Sequence, residues 1–330
     1  GYKVLVSSIY EDVTIDPLDF SSAAASSSVL FAIGVAAWAF QRWISRHDLT
    51  GGGRVSRPVL IRLSPVGSIL GALITAVILL AAVIIPYLSI TLSAMTILRS
   101  APPTLDNLTF DYFSIVVQMP TAQEALIRSI GLGTLGATAA VALGVLVTVL
   151  TRRQSFIGAK LSDFLAVAPD TVPGIVLAIG FILLWNSPWL PWSPYGTMGM
   201  LVMAFTVLFL PMTIQNIKTS AESISPTMYE AAAISGSSTL QTFGRITLPL
   251  LAPGIFAGWL LAFFVGIREL VMSSLIRPSQ VNLLAPWIMN QFDQGHRAEA
   301  MAMTLIGVGT STIVLVAITW WQNRKAAHAR

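Results

Sequence analysis

Stretches of some twenty predominantly apolar residues recur along the chain, at roughly 23–43, 67–92, 126–150, 164–186, 197–217, 250–275 and 299–321. A helix that crosses a bilayer needs about 20 such residues, because hydrocarbon offers the backbone no hydrogen-bond partners outside the helix itself. These runs predict an all-α polytopic membrane protein with about seven transmembrane helices. Only 10% of the residues are charged, against about a quarter in soluble domains. The chain has no cysteine, which excludes disulfides and thiolate chemistry. His47, His296 and His328 are scattered near span edges or tails and read as solvated loop residues, so no metal site is expected.

Orientation follows from lysine and arginine, which concentrate in cytoplasmic loops. If the first span runs inward, the inner loops collect Arg42, Arg46, Arg54, Arg57, Arg62, Arg152, Arg153, Lys160, Lys218, Arg245, Arg324, Lys325 and Arg330. The outer side keeps Lys3, Arg99, Arg128, Arg268, Arg277 and Arg297. This places the N-terminus of the chain outside and the C-terminus in the cytoplasm. It also explains the net charge of +4 without invoking nucleic acid. Trp38 and Trp43, the group Trp185, Trp189 and Trp192, and the pair Trp320 and Trp321 fall near span ends, as an interfacial aromatic belt does. Residues 1–20 carry Glu11, Asp12, Asp16 and Asp19 without a basic start, so they do not read as a signal peptide, and further chain is expected upstream.

The two ends of the chain are loosely alike. Residues 4–43 and 283–324 each run from an apolar segment through an acidic or polar loop and a small-residue helix to a Trp and Arg exit. Two outward-to-inward helices also converge on such a pattern independently. On the duplication reading, 1–43 is the outer loop and last span of a preceding copy. Residues 44–65 are then a cytoplasmic linker made flexible by GGG at 51–53, and 66–330 is a six-span domain.

Between the fifth and sixth spans lies YEAAAISGSSTLQTFGRITLPLLAPG, residues 229–254. Helix formers run to Ser235, with Glu230 near the start, where its charge suits the dipole. Gly236 permits the positive φ that ends a helix. Ser237, Ser238 or Thr239 caps a second short helix, which Leu248-Pro249 is expected to stop. The exposed surface is expected at Ala231, Ala232 and Ala233, flanked by Ile234 and Leu240, where small side chains admit a partner's backbone.

The spacing Glu-Ala-Ala, three residues, Gly, nine residues, Ile-x-Leu-Pro is filled here by Glu230, Ala231, Ala232, Gly236, Ile246, Leu248 and Pro249. It resembles the cytoplasmic signature of bacterial ABC-importer permeases of the binding-protein-dependent type. The segments ALIRSIGLGTLGATAAVALGVLVTVLTRR and APDTVPGIVLAIG resemble the helices that precede it in that family, so the likeness covers 66–330. The resemblance implies a six-span permease core in the bacterial inner membrane, with the 229–249 stretch as a coupling helix docking on a cytoplasmic ABC ATPase dimer. It implies an external or periplasmic substrate-binding protein and a second permease half, fused upstream or separate. The chain lacks G-x-x-x-x-G-K-[ST]; SFIGAKLS at 155–162 has the wrong spacing. ATP is therefore expected on the partner ATPases, with no cofactor and no catalytic residue in this chain.

A double-length permease of this kind, and the segment GIRELVMSSLIRP, resemble ferric-iron importers, with thiamine, 2-aminoethylphosphonate or a polyamine as alternative cargoes. No ring of oxygen ligands lies within the spans, so specificity is expected in the external binding protein. Charges in the membrane are costly and read as functional. Asp170, in the proline-broken APDTVPG, is a candidate for the path, or an acid relieved by a local helix break. Arg268 and Glu269, about 27 Å along their span, are candidates for an outer gate or for an interfacial pair. A secondary transporter working without ATP and a membrane scaffold remain the rival classes.

Overall fold

The computed structural model describes residues 4–16, 19–45, 64–98, 100–102, 104–152 and 168–328. Most of the linker expected at 44–65, and the segment SFIGAKLS, lie outside the described residues. Among the described residues every regular element is a helix, apart from one isolated antiparallel bridge between Thr96 and Leu108. In chain order the α-helices are α1 (Leu5–Thr14), α2 (Phe20–Ser45), α3 (Pro65–Leu79), α4 (Ile85–Met95), α5 (Asp111–Gln118), α6 (Pro120–Arg152) and α7 (Gly174–Trp185). They continue with α8 (Met198–Glu222), α9 (Pro226–Ile234), α10 (Thr239–Thr242), α11 (Leu248–Ile267), α12 (Val271–Ile276), α13 (Leu284–Asp293) and α14 (Arg297–His328).

Six described helices are long and apolar enough to cross a membrane, and they coincide with six of the expected spans. The span expected at 164–186 differs. Its described part is a 3-10 turn, Ala168–Thr171, followed by the 12-residue α7. Pro169 and Pro173 account for the break, since proline offers no amide to the helical ladder and restrains the residue before it. The span expected at 250–275 also differs: α11 ends at Ile267, and α12 is a separate helix.

The expectation that Leu248-Pro249 stops a helix is overturned. A π-helical turn, Phe243–Thr247, joins α10 to α11 without leaving helical dihedrals. A second π turn, Leu80–Ile84, joins α3 to α4 just before Pro86. In both places the widened turn ends two residues ahead of a proline. The wider i→i+5 ladder absorbs the missing amide and the ring's bulk, so the helix bends its bonding pattern and continues.

One compact unit comprises Gly1–Ala39 and Glu124–Pro286. Its centre is a close approach of α6, α8 and α11, with Phe205, Phe209, Ile214, Ile217, Leu251 and Phe263 buried. A Cβ at Gly254 would collide with the Asn216 carbonyl oxygen and Ser220, and one at Gly258 would lie 3.1 Å from Thr213 Cα. On α6, a Cβ at Gly136 would press on Phe205. Thr213 Oγ1 donates across the same seam to the Ala140 carbonyl, at 3.2 Å and buried. Lipid tails are as apolar as leucine, so helices in a membrane associate through such small-residue contacts and polar links. In the same unit Ile9 of α1 and Ala23 of α2 bury against Ile175 and Ile179 of α7.

The other unit comprises Phe40–Gln123 and Trp287–Arg330. Here α14 lies along α4 and α5. The loop between α4 and α5 is tied to Asn107. Its amide donates to the Leu98 and Pro102 carbonyls at 2.8 and 3.2 Å, and its oxygen accepts from the Leu98 amide at 2.8 Å.

Candidate functional site

Helix α9 and the turn after it form a foot whose shape is closed by its own hydrogen bonds. Ser225 Oγ accepts from the Thr227 amide at the start, where Pro226 needs no amide partner. At the other end the Ser237 amide donates to the Ala232 carbonyl and the Gly236 amide to the Ala233 carbonyl, both at 3.0 Å. This pair is the Schellman arrangement, and it requires the left-handed residue between them. Gly236 supplies it, at φ +74°. Ser238 then opens α10 with a reciprocal capping box: the Gln241 amide donates to Ser238 Oγ at 3.3 Å, and the Ser238 amide to Gln241 Oε1 at 2.9 Å.

The foot has one face turned to its own unit. Tyr229 packs against the buried cluster of Val141, Ile217, Ala221, Ile224 and Leu251, and Thr247 Oγ1 donates to its hydroxyl at 3.5 Å. Ala232, one turn on, is buried as well. The expectation of an exposed Ala232 is therefore corrected. Tyr229 and Ala232 stand three residues apart on the same helix face, and the tyrosine carries that face inward. Glu230, Ala231, Ala233 and Gly236 are exposed. The foremost apolar groups are Ile234 and Leu240, 88% and 79% exposed on either side of the glycine turn. Ile246 is half-buried, and Leu248 and Pro249 are exposed. Tyr229 is not among the residues that the family spacing singles out; its i, i+3 spacing to Ala232 is the sequence signal for this inward face.

The three candidate path residues lie elsewhere. Asp170 is exposed in the 3-10 turn ahead of α7. Arg268 is exposed, and its Nε donates to the Phe264 carbonyl at 3.2 Å. Glu269 turns the other way and accepts from the Met272 and Ser273 amides, both at 2.9 Å, and from Ser273 Oγ at 3.1 Å. It thereby satisfies the open amides at the start of α12. Burial pushes its carboxyl above the usual carboxylate range, while the amide bonds pull the other way.

The family model for the binding-protein-dependent transport system inner membrane component matches residues 140–328, more than half of the chain and the whole of the foot. The chain is 27% identical over 214 residues to the putrescine transport system permease protein PotI of Escherichia coli K12, covering 63% of this chain and 76% of that protein. It is 24% identical over 207 residues to the putative 2-aminoethylphosphonate transport system permease protein PhnV of Salmonella choleraesuis, covering 62% and 77%. It is 25% identical over 222 residues to the spermidine/putrescine transport system permease protein PotC of Haemophilus influenzae, covering 66% and 83%. Among solved structures, a bacterial ABC transporter for import of the polysaccharide alginate matches in fold, with a TM-score of 0.62 and 15% identity over 78% of this chain and 96% of that one. The chain belongs to the binding-protein-dependent transport system inner membrane components, the multi-pass permease subunits of ABC importers.

Proposed function

We propose that this permease is driven by ATP hydrolysed on cytoplasmic partner subunits, and that the foot at 226–249 is where their motion enters. The observation that carries this reading is the foot itself. Both of its turns are closed by hydrogen bonds of its own, it presents Ile234 and Leu240 outward, and Tyr229 ties it to α8 and α11. A rigid lever with an apolar tip suits a groove in a partner better than it suits water. Ile234→Asp or Leu240→Asp is expected to abolish ATP-dependent uptake and co-purification of the ATPase, with the amount and thermal midpoint of the permease unchanged. Normal uptake and co-purification in both variants overturn the docking role, and uptake that persists without any ATPase overturns the mechanism. The reading includes an external binding protein, a second permease half and the division of the chain at 43 and 65. It also includes a cytoplasmic foot. The chain has no cysteine, so Ser235→Cys is a single label site that should react in inside-out vesicles and stay silent in right-side-out ones.

For cargo we favour a small amine-bearing solute. The relatives described above are named for putrescine, spermidine/putrescine and 2-aminoethylphosphonate, and none of them supports ferric iron. Competition of labelled putrescine and 2-aminoethylphosphonate uptake by each other and by ferric salts decides among the three.

A further inference from the structure

Within the unit formed by Phe40–Gln123 and Trp287–Arg330, α4, α5 and the turn from α13 to α14 enclose a half-open cavity of about 370 Å³. Thr96 and Tyr112 stand on one wall, and Phe292, His296, Arg297 and Glu299 on the other. This volume is at the lower end of small-molecule sites. The first wall is held in place by the Asn107 bonds described above, since Thr96 pairs with Leu108 and the Ile97 amide donates to the Asn107 carbonyl at 3.0 Å.

The charges around the mouth are mixed. The Glu299 side chain is only 17% exposed, and the ion-pair contact it makes among the described residues is with His296 Nδ1 at 3.7 Å, beyond hydrogen-bond range, on a side chain more than half exposed. A largely buried carboxylate gains from a better cationic partner. Arg297 places its guanidinium carbon 5.3 Å from the centre of the Phe292 ring. A ring face offers a cation electrostatic attraction and no lone pair, so the guanidinium's N–H donors are still available to an anion. A dication entering here meets Arg297, and a plain anion meets Glu299. A molecule carrying an ammonium and an anionic group a few bonds apart satisfies both, with Tyr112 and Phe292 beside its methylenes.

We propose that this cavity is a binding site for a small zwitterion, with its ammonium on Glu299 and its anionic group on Arg297 and His296. An acid in the first turn of a helix is stabilising on its own account, but that does not explain why an arginine and a histidine line the same cavity as this acid. The inference rests on the amine-solute reading for its place in transport. Its test uses neither ATPase nor binding protein, so it fails independently of that reading.

The experiment is calorimetric titration of the full chain in lipid nanodiscs with 2-aminoethylphosphonate, glycine, putrescine and inorganic phosphate as probes. Saturable binding of 2-aminoethylphosphonate is expected, with putrescine and phosphate at least about ten-fold weaker, as the loss of one charge-assisted contact implies. Glu299→Gln and Arg297→Gln should each weaken it about ten-fold or more at an unchanged thermal midpoint. Arg297 is exposed, so its variant remains interpretable if Glu299→Gln misfolds. No saturable binding of either zwitterion, binding indifferent to both substitutions, or a preference for putrescine that Arg297→Gln leaves intact each overturns the proposal.

Discussion

The run Pro65–Met95 and the pair of helices α8 and α11 are both strongly apolar, yet they are used differently. The first has the higher mean hydropathy, 2.9 in its most apolar window, and none of that window is buried inside the chain. The α8 window has a mean hydropathy of 1.8 and is 50% buried. Hydropathy thus tells which helices enter a bilayer and is silent on which of them meet. What distinguishes α11 and α8 is the stepped surface of Gly254 and Gly258 against Thr213, Asn216 and Ser220. Among the described residues, α3 presents Ile69, Leu73, Ile74, Val77 and Ile78 with no matching seam.

The largest effect should come from filling that seam. Gly254→Leu is expected to cost about 3 kcal/mol or more, because the new atoms meet a carbonyl and a buried helix side that cannot yield. Folded yield from membranes and thermal midpoint should both fall sharply; a variant that behaves like the parent would show that the helices are not packed this closely. Thr213→Val removes the bond to the Ala140 carbonyl at nearly constant volume. The expected cost is about 0.6 kcal/mol, the usual worth of an interhelical hydrogen bond in a membrane, read as a small drop in midpoint. Ile74→Ala on the bare face should change the midpoint of the isolated chain by less than about 0.5 kcal/mol. A large loss there would mean that a second copy of the chain, or another segment of the same chain, covers the helix, and would turn a lipid-facing stripe into an interface.

The foot was legible to a different depth at each residue. Gly236 reads directly from the sequence, because one backbone conformation must be available there whatever surrounds it. The capping box was only half visible: Ser238 was one of three candidates, and the side chain of Gln241 selected it. Ala232 was misplaced because three consecutive alanines look equivalent until Tyr229 is seen to anchor one side of the helix. Pro249 reads locally as a stop, since a proline's local effect is to break a helix. Its neighbours instead let the ladder widen, which no count of residues along the chain reports.

The sequence by itself determined that the chain is helical and membrane-borne, that its foot turns at Gly236, and that the foot carries the spacing of its family. Those are sums over neighbouring residues or demands of a single backbone position. The tertiary structure alone decided that α8 and α11 share a seam, that Glu269 closes the start of α12 apart from Arg268, and that Tyr112, Arg297 and Glu299 face one cavity. The first and the last of these join residues far apart in the chain, and the second turns on which of two adjacent charges folds back on the next helix start. In a bilayer, where burying one more apolar side chain gains little, only the fit of shapes and polar groups selects such contacts.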